Sequence, residues 1–168
     1  ESDVIGQELE KCVTQAVENF VNMREVEGER IKQDLSARID IVENLVNTIF
    51  SHTTGLIEDY VVKLRERIKE ILGTDVVDEA RLAQEIVIYA DKCSIEEELT
   101  RLRSHIMQFR NMLESKDSIG KKLDFLVQEM NRETNTIASK SVKLEITNLA
   151  IDIKTAMEDI REQIQNIE

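Results

Sequence analysis

The residues of this chain best suited to chemistry begin in a polar stripe around His105, one of its two histidines. Ser94, Glu98, Arg101 and His105 fall at i, i+4, i+7 and i+11, a spacing that places all four on one face of a helix. An imidazole can move a proton, and a guanidinium one helical turn away can hold a phosphate. The stripe therefore favours chemistry on a phosphodiester, and its plain alternative is a solvated helix face.

A second polar stripe follows in a segment that has one apolar residue in eight, residues 128–135. Asp124, Gln128, Asn131 and Asn135 again share one helical face, while Glu129 and Glu133 lie one turn apart on the neighbouring face. Asparagine is a poor helix former because its side chain competes for the backbone. Two asparagines in mid-helix indicate that the amides are kept for a ligand, although a solvated face with incidental amides is the simpler explanation.

The two stripes contain the groups that RNA cleavage needs. RNA is cut by attack of its own 2′-hydroxyl or of a water, and both routes use a base, a charge stabiliser and an acid for the leaving group. His105 is the candidate base or acid. Carboxylates bind Mg²⁺ or Mn²⁺ through oxygen, so a divalent cation is a candidate cofactor, held by Glu98, Glu129 and Glu133. The candidate phosphate contacts are Arg101, Lys122, Arg132 and Lys140.

The charge of the chain is distributed unevenly. The formal net charge is −12, which on average repels nucleic acid and anionic membranes. Residues 101–143 are the exception, with nine Lys or Arg against five Asp or Glu. A polyanion should therefore meet the chain in this basic segment. The sequence has neither a stretch apolar enough to span a membrane nor a secretory signal, so we expect a cytoplasmic protein.

Apolar residues recur every three or four positions almost throughout, which predicts an all-α protein. The first such run extends from Ile5 to Ile49, with a kink or a break expected near Gly28, and a turn at 51–55 leads to a second helix. We expect these two helices to form a long helical hairpin, residues 1–77, that serves as scaffold or oligomerisation region. A smaller helical bundle, residues 78–168, should carry the site.

Local signals mark the ends of several helices. Gly73 is expected to end the second helix, and Asp78 to cap the third. Ser94 and Glu97 fit a capping box that would open the fourth helix. A polar loop is expected from Ser115, with a fifth helix starting near Lys121 and a sixth reaching the C-terminus.

The segment from Gly120 to Thr136, GKKLDFLVQEMNRETNT, closely resembles the signature of the YicC/YloC family of bacterial endoribonucleases. Further similarity lies in 81–85, in 97–105 and in the closing residues 165–168. The family also has a separate N-terminal domain of comparable size. The chain therefore resembles a C-terminal portion, which would account for its start in mid-helix.

The resemblance implies a cytoplasmic endoribonuclease that uses a divalent cation and assembles as a ring-like homo-oligomer, a hexamer by family resemblance, in RNA turnover and the stress response. The family's roles would carry onto His105, Glu98 and Arg101 in one helix and Asp124, Gln128, Glu129, Asn131, Arg132, Glu133 and Asn135 in the other. We expect these residues to face a common cleft, with His105, Glu98, Glu129 and Glu133 as the catalytic set and Arg101, Lys122, Gln128, Asn131, Arg132, Asn135 and Lys140 as the RNA-binding set. Two other hypotheses stay open at this point: a helical oligomerisation module, and an adaptor that binds RNA or a ribonuclease without cutting.

Overall fold

The computed structural model describes residues 2–73, 78–115 and 117–167, with the side chains described from residue 4 onward. Within these ranges the chain is all-α and forms six helices. They are α1 (Ser2–Thr53), α2 (Leu56–Leu72), α3 (Glu79–Cys93), α4 (Glu96–Leu113), α5 (Gly120–Lys140) and α6 (Leu144–Ile164). The prediction of an all-α protein is confirmed.

The core is a four-helix bundle in which the second half of α1, α6, α5 and α4 pack in that order around a ring. The apolar residues of α1 from Leu35 to Ile49 enter this core, as the three-to-four spacing of the sequence predicts. Phe109 of α4 and Met130 of α5 are among its fully buried side chains. The bundle holds α4 and α5 side by side, and these two helices carry the polar stripes.

The first half of α1 is different, because residues 4–30 are exposed along the whole length of that segment. The apolar residues of this segment are exposed too: the side chain of Leu9 is 64% exposed and that of Phe20 is 60% exposed. The helix runs unbroken through Gly28, where the sequence suggested a kink or a break. A helix of this length with an apolar stripe in water is stabilised when the stripe is covered.

A two-residue turn, Thr54–Gly55, joins α1 to α2, and Gly55 adopts the left-handed conformation there with φ +80°. The sequence predicts a hairpin of α1 and α2. The two helices do follow one another across this turn, but α2 packs mainly on α3. The α2–α3 contact includes stacked rings of Tyr60 and Tyr89, whose centroids lie 3.5 Å apart. The seam of α1 is already occupied by α4 and α6, which explains why α2 finds its partner in α3.

Two of the three predicted helix caps are confirmed. Gly73 ends α2 in the left-handed conformation, with φ +64°, and its N–H donates to the carbonyl of Lys69. The carboxylate of Asp78 caps α3 by accepting from the backbone N–H groups of Ala80 and Arg81.

The predicted capping box at the start of α4 is wrong. The N-cap of α4 is Ile95, which makes no side-chain cap hydrogen bond, and the helix starts at Glu96. Ile95 is only 2% exposed, so its burial in the core decides where the helix starts, and Ser94 stays outside it in extended conformation.

The start of α5 is fixed by a close approach of two backbones. A Cβ at Gly120 would lie 2.8 Å from the backbone carbonyl oxygen of Ile167, so only glycine fits without displacing the end of the chain. The helix starts at Gly120, one residue before the position expected from the sequence.

Candidate functional site

The antiparallel contact of α4 and α5 brings the first stripe against the acids of the second. Near one end, Lys140 Nζ donates to Glu98 Oε1 at 2.7 Å. One turn further along α4, Arg101 Nη1 donates to Glu133 Oε1 at 3.3 Å. Both carboxylates are inside the protein, since the side chains of Glu98 and Glu133 are 6% and 8% exposed. We call this line of ion pairs the α4/α5 groove.

The cations of these pairs remain accessible. The side chain of Lys140 is 34% exposed and that of Arg101 is 49% exposed. Arg101 also donates to Glu97, one turn before it on α4. The hydrogen bond with Glu133, followed by the charge of Glu97, raises the pKa of the Arg101 guanidinium above its ordinary value. Arg101 therefore stays cationic at every pH at which the protein is folded, and part of its fork faces solvent.

His105 is one turn beyond Arg101 and continues the same line. The residue is partly buried, and its Nδ1 is a buried atom without a hydrogen-bond partner among the described residues. Because Nδ1 is closed off from solvent, the ring can exchange a proton with a substrate only through Nε2. One turn from Glu133 on α5, the antiparallel register places Glu129 at the level of His105.

Glu129 differs from the other two acids because 41% of its side chain is exposed. Its Oε2 lies 3.7 Å from Arg132 Nη1, a loose contact with a residue that is itself mostly exposed. Of the three candidate acids, Glu129 is thus the one that an incoming substrate can reach. Glu98 and Glu133 are committed to Lys140 and Arg101.

The three carboxylates do not make a cation site in this arrangement. Across the described ranges, no group of three or more His, Cys, Asp or Glu side chains is placed to hold a metal ion. Oε2 of Glu98 is buried without a partner there, but it is a single oxygen next to an ammonium group. A divalent cation needs several oxygen ligands at short distance, which this donor set does not supply.

The amides of α5 lie away from the α4/α5 groove, on the side that faces α6. Gln128, Asn131 and Asn135 line a shallow groove of about 590 Å³ together with Arg161 of α6. Asp124 accepts from Gln128 Nε2 at 2.7 Å and from Arg161 Nε at 3.1 Å, and so ties this side of α5 to α6. We call it the α5/α6 groove.

The expectation of one common cleft is therefore wrong in one respect. Glu98, Glu133 and their two cations share the α4/α5 groove and His105 lies one turn further along it, whereas the amides line the α5/α6 groove and Glu129 is exposed beside Arg132. The physical reason is helical spacing: Asn131 and Asn135 lie about 160° around α5 from Glu133. Arg132 lines the amide groove but also contacts Glu129, so it connects the two surfaces. Lys122, near the start of α5, is exposed.

Sequence reasoning missed two features of this region. Glu98 and Glu133 were assigned to metal binding, and their burial against Lys140 and Arg101 could not be read from spacing within one helix. Phe125 is 67% exposed in the middle of the signature segment and was not considered as a site residue. Its signal was present in the sequence, because it lies off the apolar face defined by Leu123, Val127 and Met130.

Comparisons with known proteins agree on one family. The model of the family "Endoribonuclease YicC-like, C-terminal" matches residues 49–168. The chain is 47% identical over its whole length to a protein of Clostridioides difficile (strain 630) named "Probable endoribonuclease YicC". It is 34% identical, over 99% of its length, to a protein of the same name from Haemophilus influenzae.

The chain spans 58% and 57% of the lengths of these two relatives. The region of similarity contains both grooves. In the part of the chain that the structure describes, none of the helices combines the length and the apolarity that crossing a membrane requires.

Proposed function

The chain belongs to the family of YicC-like endoribonucleases, and on that premise we propose that it cleaves RNA phosphodiester bonds at the α4/α5 groove. The observation that carries the proposal is the continuous line of Lys140, Arg101 and His105 along one groove, with buried carboxylates behind the two cations. A scissile phosphate lying along this line meets positive charge and a proton-transfer group within two helical turns.

Each group has a defined task in this proposal. Arg101 binds the non-bridging phosphate oxygens with the part of its guanidinium that faces solvent, and Lys140 adds a second positive charge. Nε2 of His105 takes the proton from the attacking 2′-hydroxyl or water. As the P–O bond to the leaving 5′-oxygen breaks, that oxygen takes a proton from a solvent water that the exposed carboxylate of Glu129 orients, and the proton held by His105 returns to the solvent. The attacking oxygen forms the new P–O bond, so atoms and protons balance.

Glu98 and Glu133 act as positioning residues in the same scheme. Each carboxylate is buried, and a buried carboxylate without its cation is unfavourable. The acids therefore hold Lys140 and Arg101 at fixed places on the groove, so that little reorganisation is needed when phosphate arrives. This replaces the expectation that they bind a cation directly.

A divalent cation stays in the proposal as a requirement of the reaction, without a site on the described residues. Mg²⁺ or Mn²⁺ would supply charge neutralisation of phosphate oxygens in the complex with RNA.

We further propose that the protein is a cytoplasmic homo-oligomer that acts in bacterial RNA turnover under stress, with subunits meeting along the first half of α1. The exposed apolar stripe of residues 4–30 supports the assembly, because one monomer leaves it uncovered. Assembly would also place several copies of the basic segment near one RNA, which offsets the repulsion that follows from the net charge of −12. The hexamer remains what the family resemblance implies.

The test is cleavage of an end-labelled single-stranded RNA by the complete natural protein, with Mn²⁺ and with EDTA. We expect product bands with Mn²⁺ that vanish in His105→Ala and weaken in Glu129→Gln. Circular dichroism and the oligomer size should be unchanged in both variants. RNA binding without product bands in any condition would contradict the proposal and favour an adaptor that binds RNA without cutting it.

A further inference from the structure

The outward face of α5 carries an exposed aromatic ring among polar neighbours. Phe125 is 67% exposed, on a helix whose other large apolar side chains are mostly in the core. Lys121, Gln128 and Arg132 lie at i−4, i+3 and i+7 from it, which places all of them on the same face. The ring is thus bordered by a cation on one side and by an amide and a second cation on the other.

Two grooves follow one another along this side of α5, and Phe125 lines the first of them. One has a volume of about 460 Å³ and is lined by Lys121, Phe125 and the end of α6. The other is the α5/α6 groove of about 590 Å³ that contains the amides. The hydrogen bond of 2.7 Å between Gln128 and Asp124 lies where the two meet. Together they make a continuous surface along α5, from an aromatic end to an amide end.

A second exposed phenylalanine shows why the neighbours matter. Phe20 of α1 is 60% exposed with the guanidinium of Arg24 5.8 Å from its ring centroid, but Val17 and Val21 beside it are exposed as well, which fits a contact with another apolar protein surface. The neighbours of Phe125 three and four residues away on α5 are instead all amide or charged. An aromatic platform combined with cations and with amide donors and acceptors is the composition that binds unpaired nucleobases.

We propose that an unpaired base of the RNA stacks on Phe125 and that the adjoining nucleotide is hydrogen-bonded by the amides of Gln128 and Asn131. The inference rests on the proposed function and deepens it: a base-binding subsite lies on the outward and α6-facing side of α5, apart from the groove that cleaves. Asn131 is six residues from Phe125, about 9 Å along the helix, so the subsite has room for neighbouring nucleotides. Amides offer both donors and acceptors to base edges, which phosphate contacts do not use.

The experiment measures binding rather than cleavage, and it uses the His105→Ala background so that the RNA stays intact. Because the chain has no tryptophan, F125W places its single indole at the proposed platform. We expect a short single-stranded oligoribonucleotide to quench the indole fluorescence, and an abasic oligomer of equal length to leave it unchanged. A stacked base is worth about 1–3 kcal/mol, so Phe125→Ala should weaken binding of the normal oligomer by about 5- to 150-fold.

The comparison between the two oligomers decides the matter. Phe125→Ala should change binding of the abasic oligomer by less than about twofold, since its phosphates meet the same cations. Phe125→Leu keeps an apolar side chain and should weaken binding in the same way, which guards against a folding defect. Ile151→Ala, at a residue of α6 that is 54% exposed, is the control and should leave both affinities unchanged.

Equal affinity of Phe125→Ala and the parent for the normal oligomer would overturn the inference, and it would leave Phe125 as a contact for a protein partner. An equal loss for both oligomers would overturn it too, because the ring would then act through the phosphates or the fold. Cleavage by the natural protein together with either result would leave the proposed function standing. Base-dependent binding without cleavage would support the subsite and contradict the proposed function.

Discussion

The two sides of α5 differ in how their charged and polar groups are arranged. Toward α4, ionic groups are partly or wholly buried and held in pairs, Glu98 with Lys140 and Glu133 with Arg101. Toward α6, the groove is shallow and lined mainly by neutral amides such as Asn135, and the ion pair of Asp124 with Arg161 there is more exposed than the acids of the other side. Burying charge is costly unless it is paired, so a helix keeps it where a fixed electrostatic arrangement is useful. The comparison teaches that one helix can keep paired, buried charge on one side and neutral amides on the other, which the proposed function uses for reaction and for recognition.

The largest expected effect is on the cleavage rate, which should depend far more on the α4/α5 groove than on the α5/α6 groove. His105→Ala removes the proposed proton acceptor of the α4/α5 groove and should reduce single-turnover cleavage by about 10²- to 10⁴-fold, the usual contribution of a general base. Asn135→Ala changes the α5/α6 groove and should reduce it by less than about tenfold. Rates are measured on the same labelled RNA with enzyme in excess. Equal losses in the two variants would remove the distinction between the sides.

Removing the cation that pairs with the buried carboxylate of Glu98 should destabilise the fold. Lys140→Met leaves the carboxylate of Glu98 buried without its cation, which should lower the free energy of unfolding by about 2–4 kcal/mol; Lys140 is a third exposed, so the value falls at or below the usual range for a buried pair. Urea denaturation followed by circular dichroism measures it. Arg67→Met breaks an exposed pair with Glu70, about 70% exposed on both sides, and should cost less than about 1 kcal/mol.

The double variant Lys140→Met with Glu98→Leu tests whether the unpaired carboxylate causes this loss of stability. Removing both charges should recover most of the loss, because the cost lies in the unpaired carboxylate rather than in the missing attraction. A double variant as unstable as Lys140→Met alone would mean that the pair itself stabilises the contact of α4 with α5.

The smallest expected effect is a gain. Asn135→Ala should raise the free energy of unfolding by about 0.5 kcal/mol, because alanine is the better helix former at this exposed mid-helix position. Asn148→Ala, at an exposed position of α6, should give a similar gain and leave RNA binding unchanged. If Asn135→Ala is instead destabilising, its amide serves the fold and not a ligand.

Local structure was predictable where the signal lies within a few residues. The helical periodicity, the glycine that ends α2 and the aspartate that caps α3 all depend on neighbouring residues, and the structure confirms them. Ser94 failed as a cap because the burial of Ile95 in the core outweighs a local hydrogen bond. Tertiary packing decides such cases, and spacing along the sequence does not contain it.

The sequence predicts which residues of the candidate site share a helix face, but not which residues of another helix they contact. Spacing correctly groups Glu98, Arg101 and His105 on one side of α4. It cannot tell that Glu98 meets Lys140, 42 residues away, because this requires the antiparallel register of α4 and α5. The spacing within α5 already separates the amides from Glu133, since Asn131 and Asn135 lie about 160° around the helix from it, but that the amide side faces α6 was known only from the packing.

The central claim is that the imidazole of His105 moves the proton during cleavage, and imidazole rescue tests it most directly. Single-turnover cleavage by His105→Ala is measured with and without added imidazole, with 1-methylpyrrole, which lacks the basic nitrogen, as the control. The account predicts that imidazole restores a concentration-dependent part of the lost rate and that the control restores none. Cleavage by His105→Ala at the parent rate without imidazole would contradict it.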